Sequence, residues 1–200
     1  DNEKNLDGLA NNAIDQAATA KDAAIDKSNL TAEEKADLKK QVADEVNTAK
    51  GKIDAATNNA DVESAKNTGV ETINKIPTTS ATKDAAKNAI DQAATAKDAA
   101  IDKSNLTAEE KADLKKQVAD EVNTAKGKID AATNNADVES AKNTGVGKIN
   151  NINVPETSAT KEAAKQAIDD ALAKKIKEIS NANLTDDQKQ SLIDQAQNAA

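Results

Sequence analysis

Residues 12–70 recur without a single change at 88–146, an offset of 76. Self-similarity at a fixed period is the strongest constraint a sequence can carry. Each copy must build the same unit and meet its neighbour through the same surfaces. A third, more diverged copy begins near Ser158, where Ile168, Lys175, Ile179, Leu184 and Thr185 continue the pattern at an offset of 78. The two additional residues fall in the linker, IPTTSATK at 76–83 against INVPETSATK at 152–161. The third copy stops at Ala200, before its second helix would be complete. The expected organisation is therefore repeat 1 over 1–77, repeat 2 over 78–155 and a partial repeat 3 over 156–200.

Each copy reads as three helices. The first is expected over Ala81–Asp102, with Ala85, Ala89, Ile90, Ala93, Ala96, Ala100 and Ile101 on one wide stripe and Ser80 or Thr82 as its cap. The second has the sharpest start signal. Thr31 with Glu34, Thr107 with Glu110 and Thr185 with Gln188 fit the capping box, in which two side chains satisfy each other's orphan backbone donors. Its apolar positions Leu38, Val42, Val46, Ala49, Ile53 and Ala56 step by three or four. The third helix is expected from about Ala60 to Lys75, capped by Asn59, with Val62, Ala65, Gly69, Ile73 and Ile76 on its stripe. Pro77 and Pro155 then end it, because a proline biases the residue before it out of the helical region.

Three helices with short connections fold as an up-down-up bundle. An odd number of helices puts the entry and exit of each repeat at opposite ends. The expected fold class is all-α, with tandem three-helix bundles arranged head to tail as an elongated rod gaining roughly 35 Å per repeat.

Composition narrows the chemistry. Phe, Tyr, Trp, Met, Cys, His and Arg are all absent, and 42 of the 200 residues are Ala. Without His or Cys there is no zinc site of the usual kind, no thiol nucleophile and no imidazole base. Without Arg there is no bidentate fork for phosphate, and without aromatics no platform for bases or sugars. The net charge of -8 argues against nucleic acid and anionic membranes. No apolar run approaches a membrane span and no signal peptide is visible, so the chain reads as a soluble segment of something longer. Having no Cys does not decide the compartment.

The order AxNAIDQAAxAKxAAID, then NLTAEEKAxLKxxVxxxVxxAKxxIDAAT, then NNADVxxAKNTGVxxIN closely resembles the helical repeat known as domain of unknown function 1542. The likeness covers essentially the whole chain, including the partial third copy. It implies a repeat found in many tandem copies in cell-wall-anchored surface proteins of Gram-positive bacteria, proteins linked to adhesion, aggregation and biofilm formation. The family brings no catalytic residues to carry over. A more distant likeness is to the albumin-binding three-helix modules of similar surface proteins, without a matching binding motif.

Several motifs have a structural reading beside the functional one. Asn29-Leu30-Thr31, Asn105-Leu106-Thr107 and Asn183-Leu184-Thr185 fit the glycosylation sequon, yet in each the Thr caps a helix and the Leu can staple it. The acids Glu33, Glu34 and Asp37 lack a calcium-loop pattern and already suit the positive end of a helix dipole. The adjacent carboxylates Asp120 and Glu121, or Asp169 and Asp170, point in different directions on a helix and make poor acid–base pairs. Gly51, Gly127, Gly69 and Gly145 fall inside helices, where they are read as points of close helix approach, the alternative being points where the rod bends or yields under load. No catalytic, cofactor-binding or metal-binding residue is expected, and no cofactor.

The expected function is a non-catalytic stalk that projects a distal binding domain from the cell wall. The chain would act as an extracellular monomer without membrane insertion, its short Pro-containing linkers serving as restricted joints. The alternative is that the repeats themselves bind host extracellular proteins or like repeats on neighbouring cells, with copy number supplying avidity.

Overall fold

The computed structural model describes residues 2–200, with side chains from residue 5 onward. Among these residues all regular structure is α-helical. The helices are α1 (Asn2–Lys27), α2 (Ala32–Ala55), α3 (Asn59–Asn74), α4 (Ala81–Lys103), α5 (Ala108–Ala131), α6 (Asn135–Asn150), α7 (Ala159–Ser180) and α8 (Asp186–Ala199). The chain leaves the helical conformation over residues 75–80, around Pro77, and over 151–158, around Pro155, so successive repeats do not share a continuous helix.

Local chemistry sets the helix ends. The capping boxes form in all three copies of the second helix. Glu34 N–H donates to Thr31 Oγ1 at 3.2 Å while Thr31 N–H donates to Glu34 Oε1 at 3.0 Å. Thr107 with Glu110 and Thr185 with Gln188 repeat the arrangement. Ser80, not Thr82, caps α4, accepting from Lys83 N–H at 3.0 Å. The third helix starts one residue earlier than expected. Asn58, not Asn59, is its cap, because Asn58 Oδ1 lies 2.8 Å from Asp61 N–H and Asn59 is already helical.

The molecule forms two compact units, and the division passes through α4 and α5. The first contains the residues up to Ala94 together with Asp120–Ile149. In it α1, α2 and α3 enclose one cluster of Ala10, Ile14, Ala49, Ile53, Val62 and Ile73 and another of Ile25, Leu30, Val42 and Ile76. The same packing recurs where Ile90, Ala125, Ile129, Val138 and Ile149 are buried. Completely buried isoleucines carry much of this core, each contributing roughly 1.5–3 kcal/mol. The six apolar positions read on α2 are all buried or half-buried, as are the five on the third helix.

At Gly69 and Gly145 the third helix leaves its neighbours no room for a side chain. A Cβ on Gly69 would lie 2.6 Å from both Ala49 Cβ and Ile14 Cδ1, and one on Gly145 2.6 Å from Ala125 Cβ and 2.7 Å from Ile90 Cδ1. The same reading fails for Gly51 and Gly127, which have no atom within 4 Å of a built Cβ. They face outward, so close packing is not their reason.

The first-helix stripe also needs correcting. Ala85, Ala96 and Ala100 are exposed, and the buried face of α4 runs through Lys83, Ala86, Ile90 and Ile101, with Lys97 half-buried between them. A lysine stem packs against apolar neighbours as long as its ammonium finds acceptors. Lys97 Nζ finds them in the second unit (Thr95–Ala119 with Asn150–Ala200), donating to Asn150 O at 3.0 Å and Ile152 O at 2.8 Å. Lys21 does the same in the first unit, on Asn74 O and Ile76 O. Each of these lysines thereby holds the carbonyl end of a third helix.

In the second unit Ile101, Leu106, Val118 and Ile179 are buried, whereas Ile168, Leu184 and Leu192 are well exposed. Ile168 stands where Ile14 and Ile90 meet a third-helix glycine, and α7 and α8 have no such helix beside them among the described residues.

Candidate functional site at the joint between repeats

The groups singled out as functional motifs are largely spent on structure. Thr31 of the first sequon is completely buried. Asp169 and Asp170 are exposed on α7, where Gln166 Nε2 donates to Asp170 at 2.9 Å. On α5, Asp120 is exposed and Glu121 half-buried. Among the described residues no group of three or more His, Cys, Asp or Glu could hold a metal ion. Polar side chains converge instead where one repeat meets the next.

The turn between α1 and α2 is the receiving surface of the first joint. Glu34, already committed to its capping box, also accepts from the repeat that follows. Ser80 Oγ–H donates to its Oε1 at 2.6 Å and Thr82 N–H to its Oε2 at 3.1 Å. One carboxylate therefore caps α2 and holds the head of α4. Partial burial pushes the Glu34 carboxyl up, but hydrogen bonds from the Ser80 hydroxyl, the Thr31 amide and Thr82 outweigh it, leaving a pKa of about 2.

A second element of the same following repeat, the turn between α5 and α6, closes on the other side of this surface. Ala32 N–H donates to Thr133 O at 2.9 Å, Thr31 Oγ1–H to Asn135 Oδ1 at 2.6 Å, and Asn135 N–H to Glu33 Oε2 at 2.7 Å. Asn29 Nδ2–H reaches Asp130 Oδ1 at 3.4 Å, and Asp130 also pairs with Lys87. Lys83 ties the two elements together, its Nζ donating to Asn29 Oδ1 at 3.2 Å and to Asp130 O at 2.8 Å. Its side chain is 2 % exposed. Desolvation lowers its pKa, opposed by the charges of Asp130 and Glu34.

The second joint repeats the head contacts within the second unit. Ser158 Oγ–H donates to Glu110 Oε1 at 2.6 Å, and Thr160 gives Oε2 both its N–H at 3.3 Å and its hydroxyl at 3.2 Å. The Ser158 hydroxyl, with the Thr107 amide, holds Glu110 at a pKa of about 2. Lys161 Nζ donates to Asn105 O at 3.0 Å and Asn105 Oδ1 at 3.1 Å. No second turn closes on this surface among the described residues, so Lys161 is exposed and Thr107 half-buried.

The capping Thr and Glu were legible from spacing, and the linkers as short Pro-containing connections. The second role of Glu34 and the roles of Lys83, Asn29 and the Asp130–Asn135 turn were not. The one signal that could have found them is the tetrapeptide Ser-Ala-Thr-Lys, which heads α4 at 80–83 and α7 at 158–161 but is Lys-Asn-Leu-Asp at 4–7.

Fold and joints together define a tandem helical-repeat protein whose neighbouring repeats are held by specific polar contacts as well as by the chain. The protein belongs to the Domain of Unknown Function (DUF1542) family, which it matches twice, over residues 9–81 and 82–157. No curated protein and no solved structure matches the chain. None of the described helices is long and apolar enough to cross a membrane.

Proposed function

We propose that this chain is a non-catalytic spacer: a repeat segment of an extracellular, cell-wall-anchored surface protein of a Gram-positive bacterium, of the kind that serves adhesion and biofilm formation. Its work is to hold a distal binding domain away from the wall, as a monomeric, rod-like array whose length follows copy number. The observation that carries this reading is the joint. A spacer needs neighbours that hold each other at a fixed angle, and here a buried threonine and a buried lysine each make a hydrogen bond across a repeat boundary. The likeness of the repeat to those of Gram-positive surface proteins supports the location.

Small-angle scattering on chains of increasing repeat number tests it. The maximum dimension is expected to grow linearly with each added repeat, and a compact particle overturns the reading. Binding assays with one repeat against several supply the second arm. Uptake of serum or matrix proteins, or self-association that strengthens with repeat number, moves the function from spacing to adhesion by the repeats themselves.

A further inference from the structure

The two joints form a natural comparison. Residues 29–35 and 105–111 are identical, and both receive a Ser-Ala-Thr-Lys head. The repeat that follows the first joint supplies three helices, including the α5–α6 turn; the one that follows the second supplies α7 and α8. With the turn in place Thr31 is 0 % and Lys83 2 % exposed. Where no such turn closes, Thr107 is half-buried and Lys161 exposed, although the head contacts to Glu110 are made.

We propose that the joint is a two-stage latch: the Ser-Ala-Thr-Lys head engages the preceding repeat first, and the joint locks around Lys83 only when the following repeat has formed its second and third helices. The separation of the two elements along the chain gives the order. Ser80–Lys83 follow α3 directly, so their contact with Glu34 needs only the linker to turn. The Asp130–Asn135 turn arrives some 50 residues later, so its contact requires α5 to run back along α4. Lys83 donates to both sides, to Asn29 of the preceding repeat and to the Asp130 carbonyl of its own, which makes it the pin of the second stage. Each repeat is thereby stiffened by the folding of its successor, and a repeat that loses its third helix releases its predecessor to the looser head contact. This deepens the spacer reading and relies on it only for the biological consequence.

Amide exchange, read by NMR on the segmentally labelled 200-residue chain, tests the latch. Ala32 and Ala108 have identical sequence neighbours, so their intrinsic exchange rates cancel. Ala32 N–H, bonded to Thr133 O, is expected to exchange at least about tenfold more slowly than Ala108 N–H. In Lys83→Met the Ala32 protection falls toward that of Ala108, while Thr82 N–H, held by Glu34, keeps its own. Gly145→Val, which crowds Ala125 and Ile90, loosens the following bundle and also removes Ala32 protection, while amides around Gly69 keep theirs. Equal exchange at Ala32 and Ala108, or protection at Ala32 that survives both variants, overturns the latch. An elongated particle with equal exchange keeps the spacer and loses the latch, and a compact particle with unequal exchange does the reverse.

Discussion

The glycines offer a prediction whose two halves share one chemistry. Replacing a mid-helix Gly by Ala gains about 1 kcal/mol of helix propensity wherever it occurs. At Gly51 and Gly127 that gain stands alone, because a built Cβ meets nothing within 4 Å. At Gly69 the same methyl lies 2.6 Å from Ala49 Cβ and 2.6 Å from Ile14 Cδ1, about 1 Å inside ordinary carbon–carbon contact on both sides. The Ile14 methyl can swing away. Ala49 Cβ is fixed to the backbone of α2, so the helices must part, and overpacking of this kind costs about 1–3 kcal/mol. The difference between the two substitutions isolates the clash, since propensity cancels. For units of this size about 1 kcal/mol corresponds to roughly 4–8 °C in Tm. Thermal unfolding followed by far-UV circular dichroism is expected to place the Gly51→Ala, Gly127→Ala double variant above the wild type. The Gly69→Ala, Gly145→Ala double variant should melt at least about 4 °C below that first variant. If the two double variants are stabilised equally, the close approach of the third helix is wrong.

Two further outcomes follow from the joint. Glu34 and Glu110 are held at pKa values of about 2, below their ordinary 4.5, so their contribution is complete above about pH 4.5 and is lost as the pH falls toward 2. Melting curves between pH 7 and 2 should show this acid limb, and Glu34→Gln with Glu110→Gln should flatten it; a limb unchanged in the double variant would assign the acid sensitivity to other carboxylates. Thr31→Ala removes a cap, at a cost of about 0.5–2 kcal/mol, and also a hydrogen bond to Asn135 worth about 1 kcal/mol. Thr185→Ala removes a cap alone, so urea unfolding should show the larger loss for Thr31→Ala, and equal losses would deny Asn135 its part.

What could be read from the sequence was whatever is decided within one or two helical turns. Thr31 and Glu34 stand three residues apart, and their box is a property of that spacing alone. The α2 stripe was legible because Leu38, Val42, Val46 and Ile53 are large enough to mark a face. On α4 the marking fails. Alanine is apolar yet indifferent to exposure, so Ala85, Ala96 and Ala100 drew the stripe toward solvent, while Lys83 and Lys97 hid the true seam behind a charge. Lys83 is buried and Lys97 half-buried because their acceptors lie some 47 to 55 residues further on, which no local pattern reports. Gly51 and Gly69 sit in identical helical backbone, and only the neighbouring helix tells them apart. Spacing identifies Glu34 as a cap, whereas its bonds to Ser80 and Thr82 belong to the tertiary structure. Gln188 makes the distinction plain. It completes the box through Oε1, but its amide nitrogen cannot accept an N–H as Glu34 Oε2 does.

At the first joint, Thr31, Glu34 and Lys83 tie repeat 1 to repeat 2. The chain has no Cys, so spin labels can be placed cleanly at the exposed positions Asn47 on α2 and Asn123 on α5, on either side of the first joint. A pulsed dipolar measurement of the distance between them is predicted to give one narrow distribution, broadened by Lys83→Met. A broad distribution in the wild-type chain would mean beads on a flexible string and would rule out a fixed joint.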